Sequence, residues 1–192
     1  MKASDQLELW RTSDSPKTLG GLIETFEEKS FALLFILLLG LPALPLPTGG
    51  ATHVFEIIAM LLALQLIAGR DQIWLPRRFK DTNLADGFIT KLLRTIRRLE
   101  RFSRPRARIL FDHRLSNIVF GLLALAGAIA AFVAPPFTGL DTLPSLGVVF
   151  LSLGFIMEDI ALVVLGIVIA IVGVALEIFL GEAALHGIGS LF

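Results

Sequence analysis

The chain has 192 residues, of which 55% are hydrophobic and 18% charged, and its formal net charge is zero. Soluble domains carry about 25% charged residues, and every Lys and Arg of this chain lies at or before Arg114. These features argue against a soluble globule and predict an all-α integral membrane protein. Cysteine is absent, which excludes disulfides, thiolate catalysis and cysteine metal sites.

The N-terminal residues precede the first apolar run. Residues 1–17 are polar, with Ser and Pro near the end, and we expect a flexible cytoplasmic tail. Residues 18–192 are expected to form a single membrane domain. Thr18 can cap a short helix in which Leu22 and Phe26 share an apolar face. A helix on the membrane surface and a helix packed on the domain both fit this pattern.

Two apolar runs follow, at residues 31–41 and 54–68, and neither reaches the roughly 20 residues that a full crossing needs. A segment rich in Pro, Thr and Gly separates them. We expect this segment to be a membrane loop shielded by protein, because backbone groups freed by proline must be satisfied inside lipid. Two alternatives remain open: oblique crossings, or a re-entrant hairpin. The first predicted loop contains Pro42, Pro45, Pro47, Thr48 and Gly49.

Residues 77–114 form a basic connector. Asp86 can cap a helix with an apolar stripe on one side and basic side chains on the other. This pattern predicts an interfacial amphipathic helix that contacts anionic lipid headgroups. Nucleic-acid binding would need a similar charge, but the flanking apolar segments make headgroups the nearer anion. The predicted headgroup contacts are Lys91, Arg94, Arg97, Arg98 and Arg101.

Residues 115–180 contain three further apolar runs, and residues 181–192 are predicted to be a C-terminal tail. A second membrane loop is expected at Pro135, Pro136, Thr138 and Gly139. Because Lys and Arg favour the cytoplasmic side, the basic connector is expected in the cytoplasm. Five membrane segments then place the N-terminus in the cytoplasm and the C-terminus on the far side of the membrane.

The two halves of the chain share a plan of apolar run, Pro-rich loop with Thr-Gly, apolar run and charged stop. We therefore predict two internal repeats, residues 18–76 and residues 115–180, the second including the last transmembrane helix. Duplicated halves with broken helices are typical of transport folds. Arg70 and Glu158 occupy matching helix ends. They are expected either to form an ion pair or to lie apart at the interface.

A polar site between the repeats is the predicted functional feature. His53 and Glu56 are spaced i, i+3 and share a helix face. An interfacial position for Glu56 beside the Pro-rich loop, and helix capping by the carboxylates at 158–159, are the competing interpretations. No catalytic or metal-binding motif is present, so we predict no enzyme activity, metal or cofactor. The predicted site comprises Arg70, Asp71, Glu158, Asp159, Glu56 and His53.

Small residues recur on the last apolar run at Gly166, Ala170 and Gly173. Such ridges let helices approach closely. This one is expected to serve either internal packing or a homodimer seam.

Two motifs carry a resemblance to a known family. The segment from Gly69 to Pro76 and the triplet Met157-Glu158-Asp159, with the Pro-rich segment at 41–50, resemble the ExoD family of bacterial membrane proteins over about residues 20–180. Ile160 follows Asp159 where the family pattern has glycine. The resemblance implies a bacterial inner-membrane protein linked to exopolysaccharide synthesis, with no established reaction.

Two functions are therefore expected as alternatives. The first is a small transporter or ion-handling protein, and the second is a non-catalytic structural or interaction subunit of an envelope-polysaccharide assembly. The expected partners are the lipid bilayer, its anionic headgroups and a second copy of the chain; no nucleic acid is expected.

Overall fold

Helices make up the regular structure of the computed structural model, which describes residues 3–26, 29–45, 52–70, 72–102, 113–134 and 139–189. The helices of these ranges are α1 (Ala3–Thr12), α2 (Leu19–Phe26), α3 (Ser30–Leu39), α4 (His53–Ile67), α5 (Arg77–Lys80), α6 (Asp86–Phe102), α7 (Arg114–Val133), α8 (Thr142–Met157) and α9 (Ile160–Gly189). An isolated bridge joins Thr18 to Asn83, and the described ranges contain no strand. The predicted all-α class is confirmed.

Helix α8 lies at the centre of a bundle of five apolar helices. It packs against α9, α3 and α7, while α4 packs against α7 and α3. Glycines allow the close approach of α8 and α9: a Cβ at Gly166 would lie 2.5 Å from the backbone nitrogen of Leu151, and one at Gly173 would lie 2.7 Å from Pro144. The small-residue ridge therefore serves internal packing, which confirms that alternative.

Consecutive helices of the bundle run in opposite directions. The C-terminal end of α4 lies at the start of α7, because Gly69 is beside the Arg114 side chain. The N-terminal end of α4 lies at the end of α7, where the His53 and Phe132 rings are 5.0 Å apart. Helix α4 therefore accompanies α7 along nearly its whole length. Lys29, just before α3, pairs with Glu158 at the end of α8. The Phe120 ring near the start of α7 stacks on the Phe155 ring near the end of α8 at 4.4 Å, so the start of α3 lies at the same end of the bundle as Gly69.

Within the described ranges, two helices are long and apolar enough to cross a membrane, Arg114–Val133 and Ile160–Leu180. In the second, 11% of the most apolar window is buried inside the protein. A soluble protein buries a helix that is apolar on all sides, so this exposure indicates membrane association. The other three bundle helices are shorter. Helix α3 is almost entirely enclosed, with Phe31, Leu33 and Phe35 among its buried residues.

The predicted flexible tail at residues 1–17 is wrong, because residues 3–12 form α1. Leu7 and Trp10 are buried, and α1 packs against α2 and α6. The Ser4 backbone N–H donates a hydrogen bond of 2.9 Å to the Glu100 carboxylate on α6. The spacing of Ala3, Leu7 and Trp10 gives one apolar helix face. The segment is polar on average, so its composition alone does not indicate this face.

Helix α2 begins where its capping residue predicts, and α6 begins at Asp86. The Thr18 hydroxyl accepts a 3.2 Å hydrogen bond from the Gly21 backbone N–H, and Leu22 and Phe26 are buried. Since α2 contacts α1, α3 and α5, the packed alternative for this helix is confirmed.

The apolar stripe of α6 is also used inside the protein. Ile89, Leu93 and Ile96 are buried in the same cluster as Leu7 and Trp10. This stripe is not free to insert into lipid. The basic side chains lie on the other side and are exposed: Lys91, Arg94, Arg97, Arg98 and Arg101. Their contact with headgroups stays a prediction.

The last helix is longer than expected. Helix α9 continues to Gly189, where a tail is predicted from residue 181. Ala, Leu and Glu are strong helix formers, so the sequence Glu-Ala-Ala-Leu after Gly181 extends the helix.

Candidate functional site: a buried carboxyl cluster

A histidine–carboxylate pair lies at the start of α4. His53 Nδ1 and Glu56 Oε2 are 2.7 Å apart, as their i, i+3 spacing predicts. The Glu56 side chain has no exposed surface, whereas that of His53 is 29% exposed. The second carboxylate oxygen of Glu56, Oε1, is buried and has no hydrogen-bond partner in the described ranges. The Glu56 carboxyl therefore points into the protein. Its interfacial position beside the Pro-rich loop stays a prediction, because residues 46–51 lie outside the described ranges.

Asp141 immediately precedes α8 and joins this pair. It lies within electrostatic range of Glu56 and of His53, and within hydrogen-bonding reach of the buried Thr52 side chain. Burial raises the pKa of the Asp141 carboxyl above its usual value, while hydrogen bonds and the His53 ring act in the opposite direction. The surroundings of Asp141 therefore favour the neutral, protonated carboxyl more than water does.

Glu177 on α9 is the third carboxyl group of the cluster. It lies within electrostatic range of Asp141, and its Oε1 atom is buried without a hydrogen-bond partner among the residues described. We call His53, Glu56, Asp141 and Glu177 the carboxyl cluster. It joins the N-terminal ends of α4 and α8 to the C-terminal half of α9, at one end of the bundle.

Arg70, Glu158 and Asp159, which are also predicted for the site, lie at the opposite end, which we call the basic end. It contains Lys29, Arg70, Arg114 and Glu158. Lys29 Nζ lies 2.7 Å from Glu158 Oε1 and donates a 3.1 Å hydrogen bond to the Ile156 carbonyl oxygen. Arg70 is exposed, and no ion pair between Arg70 and Glu158 occurs in the described part of the chain. The two residues belong to the alternative in which they do not pair.

The junction between α8 and α9 explains the adjacent carboxylates there. Glu158 adopts a left-handed conformation, φ 55° and ψ 35°, which ends α8. Asp159 is buried, and its Oδ1 atom accepts a 3.0 Å hydrogen bond from the Ala161 backbone N–H. Asp159 therefore caps α9, as the capping interpretation predicts.

The single predicted site thus separates into two places. Glu56 and Glu158 lie at opposite ends of the bundle, because α8 covers about 24 Å at 1.5 Å per residue between Asp141 and Met157. Asp71 lies outside the described residues. So do most of the predicted loop residues: Pro47, Thr48, Gly49, Pro135, Pro136 and Thr138. Of the remainder, Pro42 and Pro45 follow α3, and Gly139 has φ +70°.

Three participants are absent from the prediction: Lys29, Asp141 and Glu177. Asp141 lies beside Thr142, which follows Thr138-Gly139 at the same spacing as Thr52 follows Thr48-Gly49. The predicted repeat therefore offers a signal that the two helix starts correspond. Glu177 interrupts an apolar run, which is a weak signal. Nothing in the sequence pairs Lys29 with Glu158. The residues described hold no group of three or more side chains that could bind a metal ion.

Comparison with known proteins identifies the family. Residues 3–179 match the family described as exopolysaccharide synthesis, ExoD. The chain belongs to the ExoD family. It is 33% identical over 148 residues to Protein ExoD of Rhizobium meliloti, covering 74% of this chain and 61% of that protein. It is 30% identical over 145 residues to an uncharacterized protein of Synechocystis, covering 73% of this chain and 68% of the other. No solved structure matches.

Both motifs that resemble the ExoD family lie at the basic end. The Gln65 side chain accepts a 2.7 Å hydrogen bond from the Trp74 backbone N–H, which ties the segment after Gly69 to α4. Met157-Glu158-Asp159 forms the α8–α9 junction. The ExoD resemblance therefore identifies residues that hold helix ends together, and the carboxyl cluster lies outside those motifs.

Proposed function

We propose that this ExoD-family protein is a multi-pass inner-membrane protein that acts in exopolysaccharide synthesis by handling an ion, and that the carboxyl cluster binds that ion. The observation that carries the proposal is the fully buried Glu56, with one oxygen paired to His53 and the other without a partner among the described residues. A buried polar group without a partner is costly. A site that binds and releases a proton or cation can bear this cost.

The charge balance of the cluster supports ion uptake. His53 pairs with Glu56, Asp141 lies within electrostatic range of both, and Glu177 lies within electrostatic range of Asp141. Ionised carboxylates in a medium of low dielectric repel each other, and an unpaired buried charge is expensive. Bound protons, or a small cation, balance this charge. The absence of any described group with metal-ligand geometry makes a proton the first ion to test.

The arrangement of helices supports five crossings. Helix α4 accompanies α7 from Gly69 beside Arg114 to His53 beside Phe132. Because α7 spans about 30 Å at 1.5 Å per residue, a partner of nearly the same reach favours a crossing over a re-entrant hairpin. Lys29, Arg70 and Arg114 mark the basic end as cytoplasmic by the positive-inside rule. The N-terminus is then cytoplasmic and the C-terminus periplasmic.

The pairing of helices supports the two repeats. Helices α3 and α4 correspond to α7 and α8 in the repeat comparison. Helix α3 packs on α8, and α4 packs on α7, which is the exchange expected of two halves related by a twofold axis. The carboxyl cluster then joins the matching helix starts, His53 of α4 and Asp141 before α8.

Proton flux into liposomes tests the proposal. The purified chain is reconstituted with a pH-sensitive dye inside, and flux is driven by a pH step. Glu56→Gln should lower the flux at least tenfold, because the amide cannot exchange a proton. Glu24→Gln, on the exposed side of α2, is the matched control and should leave flux unchanged. Wild-type flux from a folded Glu56→Gln protein would remove the cluster from the mechanism.

An interaction subunit of an envelope-polysaccharide assembly is the second candidate function. The basic side of α6 favours it, because the apolar stripe is buried and only charge is presented outwards. Arg94→Gln combined with Arg98→Gln should then reduce recovery of partner proteins or anionic lipid from membranes. Arg97 is left intact because it pairs with Glu8 on α1. Undiminished recovery would contradict this candidate.

A further inference from the structure

A groove opens on the side of the bundle between α7 and α9. Both helices pack on α8 and barely touch each other. The groove has a volume of about 410 Å³ and is lined by apolar side chains and glycine. Gly127 and Gly147 lie on its walls. At each of them a Cβ would meet a neighbouring helix within 3 Å. Because glycine has no side chain, the helices approach each other closely at these two positions and the groove over α8 stays open.

The groove matches one hydrocarbon chain in length. Along α9 it is lined from Gly166 to Ile178, which is about 18 Å at 1.5 Å per residue. One leaflet contributes about half of the roughly 30 Å hydrocarbon thickness. Cavities of about 300–1,000 Å³ are typical of small-molecule sites, so its volume also suits one chain.

A carboxyl group lies beside one end of the groove, whose own lining is apolar. Ala170, Val174 and Glu177 share a face of α9 at the i, i+4, i+7 spacing; the first two line the groove, and Glu177 follows one turn later. Its buried Oε1 atom has no donor in the described ranges, and Asp141 is within electrostatic range. A hydrogen-bond donor or a cation complements this end, whereas an anion would be repelled.

We propose that the groove binds one chain of a membrane lipid whose headgroup carries an amine, with the amine beside Glu177 and Asp141. This inference rests on the membrane crossing in the proposed function. The charge of the groove end selects the lipid class: phosphatidylethanolamine supplies an ammonium donor, and phosphatidylglycerol adds net negative charge without one. Under the proposed orientation, the bound lipid belongs to the periplasmic leaflet.

Native mass spectrometry of the full chain tests the groove. The probes are phosphatidylethanolamine and phosphatidylglycerol with identical acyl chains. Ala175→Phe fills the groove from an exposed position on α9, and it should lower phosphatidylethanolamine occupancy at least tenfold. Val168→Phe is the matched control, because Val168 is exposed on the same helix and does not line the groove. Equal occupancy in Ala175→Phe and wild type would overturn the proposal. Ala126→Phe repeats the test from α7.

The headgroup is tested in the same experiment. Wild-type protein should bind phosphatidylethanolamine about tenfold more tightly than phosphatidylglycerol, which corresponds to about 1.4 kcal/mol of binding free energy. Glu177→Gln should reduce that preference. Equal binding of the two lipids would overturn the assignment of the amine.

The two proposals can fail independently. Lipid binding without proton flux would support the groove proposal and contradict the ion proposal, and proton flux without lipid binding in the groove would contradict the groove proposal and support the ion proposal. Labelling of a single cysteine at Val172 by a water-soluble reagent from the aqueous phase would overturn both.

Discussion

The basic end and the carboxyl cluster both bring charged groups from distant parts of the chain together, but they satisfy them differently. At the basic end Lys29 binds both the Glu158 carboxylate and the Ile156 carbonyl oxygen, and Asp159 caps α9. In the cluster Glu56 and Glu177 each keep a buried oxygen without a partner among the described residues. Satisfied groups stabilise a fold, and unsatisfied groups cost stability. The contrast suggests that the basic end holds the helices and that the cluster binds a ligand.

Lys29→Met should give the largest loss of stability. It removes the cation beside Glu158 and the donor to the Ile156 carbonyl, and so loosens the contact of α3 with the α8–α9 junction. The free energy of unfolding should fall by about 1–3 kcal/mol, measured by denaturant titration in detergent. Lys91→Met, on the exposed side of α6, is the control and should change little. Equal stability of the two variants would contradict a holding role for the basic end.

Asp159→Ala should cost less, because it removes one helix cap. The loss of an N-cap side chain costs about 1 kcal/mol, measured by the same titration. Asp159→Asn is the matched control, since the Asn oxygen can still accept the hydrogen bond from the Ala161 backbone N–H. If Asp159→Asn and Asp159→Ala lower the free energy of unfolding equally, then the charge of Asp159, rather than its capping hydrogen bond, stabilises this position.

Much of the fold follows from the sequence because helix signals are local. The cap at Thr18, the helix beginning at Asp86 and the apolar runs all depend on residues within a few turns. The flexible-tail prediction fails for the opposite reason: Leu7 and Trp10 are too few to indicate a helix alone, and α1 is stabilised by its packing on α2 and α6. Tertiary contacts supply most of the stability of a short helix.

The candidate site is predicted in part. The His53–Glu56 pair lies within one turn, so its spacing is sufficient. Asp141 and Glu177 come from other helices, and their proximity depends on how α8 and α9 pack through glycines such as Gly166. The expected Arg70–Glu158 pair assumes that matching positions of two halves face each other. Residues at matching helix ends can instead contact different neighbours, and Glu158 forms its ion pair with Lys29.

Glu56→Gln should separate function from stability within the carboxyl cluster. The amide keeps an acceptor for His53 and carries no charge, so the free energy of unfolding should change by less than about 1 kcal/mol although proton flux is lost. Denaturant titration of the same preparation used for the flux assay measures this. A loss as large as that of Lys29→Met would mean that the cluster, like the basic end, serves the fold.

Thr52→Val gives the smallest expected effect and reports on the cluster directly. Burial raises the pKa of Asp141, and the Thr52 side chain is among the groups that lower it; loss of the hydroxyl should therefore raise that pKa further. Thr52→Ser keeps the hydroxyl and is the control. Infrared titration of the carboxyl bands, with Asp141→Asn to assign the Asp141 band, measures the change.

The sign of the stability effect follows from proton binding. At pH values between the ordinary Asp pKa of 3.8 and the raised pKa of the folded Asp141 carboxyl, the folded protein binds more protons at Asp141 than the unfolded chain does. Stability from this group therefore falls as the pH rises through that window. Thr52→Val should extend the window to higher pH, because the folded carboxyl keeps its proton longer. A lowered pKa in Thr52→Val would show that Thr52 does not stabilise the ionised carboxylate, and the carboxyl cluster would then lose its link between the starts of α4 and α8.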